Sequence, residues 1–110
     1  MIPAQFVEGD SLTSYVRQLI DSGTNQPISL TNCTVNINLY YSDNDDVYPV
    51  TSPVTHPMTI TDTINSIVSY QFLSSDLVAG YMWIVIKIFN SLGQVVSQTN
   101  PDIYYVRPNL

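Results

Sequence analysis

Apolar and polar positions alternate most strictly from Cys33 to Tyr41: Cys33, Val35, Ile37, Leu39 and Tyr41 fall on one face, and Thr34, Asn36, Asn38 and Tyr40 on the other. A period of two marks a strand with one face in a core. Leu12 to Ile20 reads as an earlier strand, closed by the turn-rich Asp21-Ser22-Gly23-Thr24-Asn25-Gln26-Pro27, and Ile64 to Leu73 alternates again through Val68, Tyr70 and Phe72. Tyr81 to Phe89 follows, and the turn Asn90-Ser91-Leu92-Gly93 folds Gln94 to Thr99 back as a hairpin partner. Asn100-Pro101 breaks that strand, and Asp102 to Arg107 is the last one.

Between these segments the pattern is irregular. Ser42 to Asp46 is a polar loop tip, and Val47 to Thr61 carries Pro49, Pro53 and Pro57, which predicts edge strands and connections because proline donates nothing to a ladder. Ser74-Ser75-Asp76-Leu77 reads as a single capped turn of helix. About seven to eight short antiparallel strands at this spacing predict an all-β sandwich. One domain spans 1–110, with short arms at 1–7 and 107–110 outside the core.

Composition agrees with strands and adds a constraint on the surface. Val, Ile and Thr supply 33 residues and Tyr eight more, whereas Ala occurs twice and Glu and Lys once each. Such side chains suit a pleated surface and not exposed helix. Charged residues make up only 11% of the chain, against about a quarter in ordinary soluble domains. The outside must be mostly Ser, Thr, Asn and Tyr, a face that costs less to desolvate than a charged one and so suits permanent contacts.

The net charge of −6, with Arg17, Lys87 and Arg107 as the only fixed cations, excludes nucleic acid as a partner. Met1 leads straight into Ile2-Pro3-Ala4-Gln5, so no signal peptide is expected, and the longest apolar run, Met82 to Ile86, is too short to span a membrane. Asn32-Cys33-Thr34 matches a glycosylation sequon and, without a secretory signal, reads as coincidence.

Tyr81 to Phe89 has two apolar faces. Met82, Ile84, Ile86 and Ile88 suffice for a core, which leaves Tyr81, Trp83, Val85, Lys87 and Phe89 on the other side. Three readings stand: a face shielded by the chain's own loops, a contact patch for a partner, or an aromatic platform for a sugar. The candidate interface is Tyr81, Trp83, Val85 and Phe89, joined by Ile2 and Phe6 of an N-terminal arm able to add a strand to a neighbouring sheet.

Chemistry is sparse. The only imidazole, His56, sits in Thr55-His56-Pro57 and reads as a solvated loop residue; Cys33, alone, reads as a small core hydrophobe. Asp43, Asp45 and Asp46 lack the glycine and downstream glutamate of a calcium loop. No catalytic residue, metal site or cofactor is expected, and the chain reads as not an enzyme.

The order of features resembles the small immunoglobulin-like domains of tailed-bacteriophage virion proteins, similar to the N-terminal domain of the baseplate upper protein. Glu8-Gly9-Asp10-Ser11-Leu12, Gly23 with Pro27-Ile28-Ser29-Leu30-Thr31, Cys33-Thr34-Val35-Asn36-Ile37, Ser75-Asp76-Leu77-Val78-Ala79-Gly80-Tyr81 and Asn90-Ser91-Leu92-Gly93-Gln94 carry the resemblance across residues 8–107, although Asn32-Cys33 stands where the family has small residues. It implies an immunoglobulin-like β-sandwich and a non-catalytic virion subunit, synthesised in the host cytoplasm. That subunit would sit on the capsid as a decoration or cement protein, or on the tail or baseplate. Its partners would be a major capsid or tail/baseplate protein and further copies of itself, with neither nucleic acid nor membrane involved. The alternative class is a carbohydrate- or receptor-binding β-sandwich module.

Overall fold

A computed structural model describes residues 4–49 and 51–109, and every regular element among them is a strand. The strands are β1 (Ala4–Val7), β2 (Ser14–Gln18), β3 (Ile20–Asp21), β4 (Gln26–Pro27), β5 (Thr34–Ser42), β6 (Val54–Pro57), β7 (Thr59–Asp62), β8 (Ile67–Gln71), β9 (Gly80–Phe89), β10 (Val95–Gln98) and β11 (Asp102–Arg107). One sheet runs β1-β11-β9-β5-β6, with β10 paired to β9 beside β11; a second runs β2-β8-β7; β3 and β4 form a small hairpin. Every pairing is antiparallel except β1 with β11.

The long β5–β9 ladder, from Thr34 opposite Phe89 to Ser42 opposite Tyr81, is the spine of the larger sheet. Its inner face presents Val35, Ile37 and Leu39 beside Met82, Ile84, Ile86 and Ile88, all buried in one cluster with Tyr15, Val68 and Phe72 from the second sheet. Each such aliphatic side chain contributes about 1.5–3 kcal/mol on leaving water. The strict alternation read in β5, and the Met82-Ile84-Ile86-Ile88 face read in β9, are therefore the core pattern. Gly80 opens β9 at φ +123°, where an added Cβ would lie 3.2 Å from the Ser42 carbonyl, so this position requires glycine.

Several expectations are corrected. The N-terminal stretch expected as an arm is, over Ala4–Val7, strand β1 paired with Tyr105–Arg107; Phe6 packs edge-on against Phe72 and Tyr104, at 5.2 Å between ring centroids in each case. Phe6 gives this strand a contact with the core, which an alternation test over so short a stretch does not detect. Arg107, placed in the C-terminal arm as well as the last strand, closes β11. Ser74 to Asp76 form a plain turn instead of a helical one, closed by the Asp76 N–H donating to the Leu73 carbonyl at 2.9 Å and by the Leu73 N–H donating to the Asp76 carboxylate at 2.8 Å. Leu12 to Ile20 divides into β2 and the start of β3 around buried Leu19. Cys33 is half-buried against the core, just outside β5.

Candidate interaction surface

The outer face of the larger sheet holds the residues singled out on β9. Register places Tyr105 beside Tyr81, and Ile103 and Tyr40 on either side of Trp83. Tyr81 and Tyr105 are half-buried and lie 5.2 Å apart between ring centroids. Trp83 is not exposed. Tyr48, from the β5–β6 connection, packs edge-on over it at 5.3 Å and also meets Tyr40, leaving Trp83 only 6% accessible. Val85 is 1% accessible. The contact-patch expectation is thus corrected for these two residues, whose outer sides are closed by the chain itself. Phe89 is half-buried, Phe6 belongs to the core, and Ile2 lies outside the described residues.

The Trp83 indole N–H is buried with no acceptor among the described residues. Most buried donors find a partner, so this ring sits under Tyr48 for its apolar area. Nearby, buried Asn38 donates through Nδ2 to the Val85 carbonyl at 3.4 Å and accepts from Thr55 Oγ1 at 2.7 Å, joining β5, β6 and β9 on the outer face.

His56 is also misplaced by the sequence reading. It stands on β6 opposite Ile37, faces inward, and stacks on Tyr70 with centroids 5.1 Å apart and rings 14° from parallel. Its Nε2 lies 3.1 Å from Oδ1 of Asp76, which is 2% accessible. Asp76 Oδ2 accepts from the Tyr70 hydroxyl at 2.5 Å and the Leu73 N–H at 2.8 Å, while the Asp76 carbonyl accepts from the Tyr41 hydroxyl at 2.6 Å. Burial, helped by the Asp76 charge, pushes the Tyr41 hydroxyl up to about 12 and the Tyr70 hydroxyl higher still. The cluster fastens β5, β6 and β8 to the turn before β9. These hydrogen bonds make it a latch between the strands and the turn.

A second latch spans the two sheets on the opposite side. The Tyr15 hydroxyl and Arg17 Nη1 of β2 both donate to Asp102 Oδ2 of β11, at 2.5 Å each. Burial first, and the Asp102 hydrogen bond second, push the Tyr15 hydroxyl well above its ordinary range. Next to this latch a groove of about 660 Å³ separates β2 and β3 from β10, with Gln18, Ile20, Ser29, Val96, Gln98 and Asn100 among its walls.

Three turns share a design that the sequence reading missed. Asp10, Asp62 and Asn90 each accept, through the side-chain oxygen, the backbone N–H two residues on, at 2.8, 3.0 and 3.0 Å. That residue is Leu12, Ile64 or Leu92, with 88, 84 and 81% of its surface in water. The signal is an Asp or Asn two places before a large aliphatic, in turns where Gly, Ser and Asn are usual.

Among the described residues no group of three metal-ligating side chains comes together, and no helix is long and apolar enough to cross a membrane. Asp43 and Asp46 are exposed in the β5–β6 connection. Compared with family models, curated proteins and solved structures, the chain matches none.

Proposed function

We propose that this chain is a non-catalytic structural subunit of a tailed-phage virion, attached to the capsid as a decoration or cement protein or to the tail or baseplate. The observation that carries the reading is the presentation of Leu12, Ile64 and Leu92 on turns held by side-chain hydrogen bonds. An isolated aliphatic in water is ordinary. Three on braced turns, in a chain with 11% charged residues, are what a subunit built into a lattice requires.

Strand order supports the immunoglobulin-like part of the reading. Pairing β2-β8-β7 opposite β11-β9-β5, with β6 added beside β5, matches the B-E-D and G-F-C-C′ sheets of immunoglobulin-like sandwiches. Many unrelated functions use that architecture, so the virion assignment rests on the surface and on the sequence resemblance.

The test is the protein content of particles banded from a lysate in which the chain is produced. Recovery of the chain with the particles supports the reading, and its absence from every particle fraction overturns it. A second reading, a carbohydrate- or receptor-binding module, is favoured by the half-exposed Tyr81–Tyr105 pair beside Tyr40 and Tyr48. Under it, saccharide titration perturbs the fluorescence of Trp83, which lies beneath Tyr48.

A further inference from the structure

The geometry points to the free edge of β10 as a contact between two copies of this chain, paired antiparallel about a twofold axis. This inference rests on the assembly reading above and names one of its contacts. An unpaired strand edge is a template for another strand, and proteins that remain monomeric blunt their edges with proline, charge, bulges or covering segments.

The edges of this molecule differ in that respect. β6 ends in Pro57 and is preceded by Pro53; β7 ends in Asp62; β2 carries Arg17; β1 is bracketed in sequence by Pro3 and Glu8. The β10 strand, Val95-Val96-Ser97-Gln98, has neither proline nor charge, and its neighbours Gln94 and Thr99 are neutral. A bulge between Val95 and Ser97 is its one guard. Nor do the described residues cover the edge: among them β1 lies beside β11 only from Tyr105 to Arg107, and the column next to β10, which opens on the groove facing β2, is vacant.

Two further features select a second copy as occupant. Each copy carries −6, yet no residue from Ile88 to Pro101 is charged, so twofold pairing here brings no like charges together. The hairpin also presents Leu92, Val95 and Val96 to water at 81, 51 and 54%. It is held rigid by Asn90, whose Oδ1 accepts from the N–H groups of Leu92 and Gln94 at 3.0 Å each and whose Nδ2 donates to Gln94 Oε1 at 3.0 Å. A preformed edge with exposed aliphatics loses little freedom on pairing.

The experiment is light scattering of the full chain over a range of concentrations, beside Val96→Lys and Val95→Lys, with circular dichroism to confirm folding. The expected result is a species of twice the 12.3 kDa chain mass, whose dissociation constant rises by about tenfold or more in the lysine variants because like charges then face each other in the ladder. Leu92→Glu serves as the second probe if a strand variant fails to fold. A wild-type chain that stays monomeric at every concentration overturns the inference, as does a dimer that all folded variants leave unchanged. Particle recovery reads the assembly hypothesis separately: a dimer disrupted by Val96→Lys in a chain that never joins particles sustains the edge contact and removes its virion role.

Discussion

Replacing Asp76 with alanine removes the acceptor on which three elements converge. The carboxylate is buried and takes hydrogen bonds from the Tyr70 hydroxyl and the Leu73 N–H, with His56 Nε2 at 3.1 Å on its other oxygen. Each donor stranded without a partner costs about 1–3 kcal/mol, less where water reaches it. Tyr70 and His56 are half-buried, so water recovers part of their loss. The expected total is about 2–4 kcal/mol, which for a domain of this size lowers Tm by roughly 10–15 °C. Asp76→Asn retains one acceptor oxygen and should cost only about 1–2 kcal/mol.

Urea titration with thermal melts measures both substitutions, and the cycle with Tyr70→Phe supplies an internal check. Once Asp76 is alanine, removing the Tyr70 hydroxyl should cost little, so the double variant is less destabilised than the sum by about 1 kcal/mol. An Asp76→Ala variant within about 0.5 kcal/mol of wild type, the range of an ordinary surface change, would refute the latch.

Tyrosine ionisation gives a second prediction with a defined sign. The folded chain raises Tyr41 from 10.0 to about 12 and also raises Tyr15 and Tyr70, so it favours their neutral forms. The associated stability is complete below pH 10 and is lost as pH rises through about 12. Tyrosinate absorbance should therefore show a late class that titrates with unfolding and shrinks in Tyr41→Phe; ionisation of all eight tyrosines together near pH 10 in folded protein would contradict it. At Trp83 the loss of ring volume is partly offset by removal of an N–H that has no acceptor among the described residues, so Trp83→Phe should cost about 1–2 kcal/mol, against about 3–5 for Trp83→Ala. Equal costs in denaturant titrations would mean that the indole N–H has a partner.

How far the chain can be read from its sequence depends on whether the cause is local. β5 carries a strict alternation, β9 an apolar run and β11 a segment set off by Asn100-Pro101 and Pro108, and all three persist in the fold, with β11 at its expected limits and β5 displaced by one residue. β1 has four residues and draws its stability from Phe6 meeting Phe72 and Tyr104, partners far away in sequence. His56 sits between Thr55 and Pro57, which reads as a loop; its place on β6 comes from the ladder with Asn36–Leu39 and from the Asp76 carboxylate. Trp83 illustrates the same limit on the outer face, since only the path of the proline-rich connection brings Tyr48 across it. Val95 and Val96 are both exposed, where a period of two would turn one of them inward; a bulge lies between Val95 and Ser97, which no local pattern announces.

The most direct test of the assembly reading is to count copies of this chain against the major capsid or tail protein in banded particles, before and after a high-salt wash. Contacts made by aliphatic side chains and by an uncharged strand edge are little affected by screening, so the account predicts a fixed stoichiometry that the wash leaves unchanged. Trace amounts that vary between preparations, or release by salt alone, would contradict it.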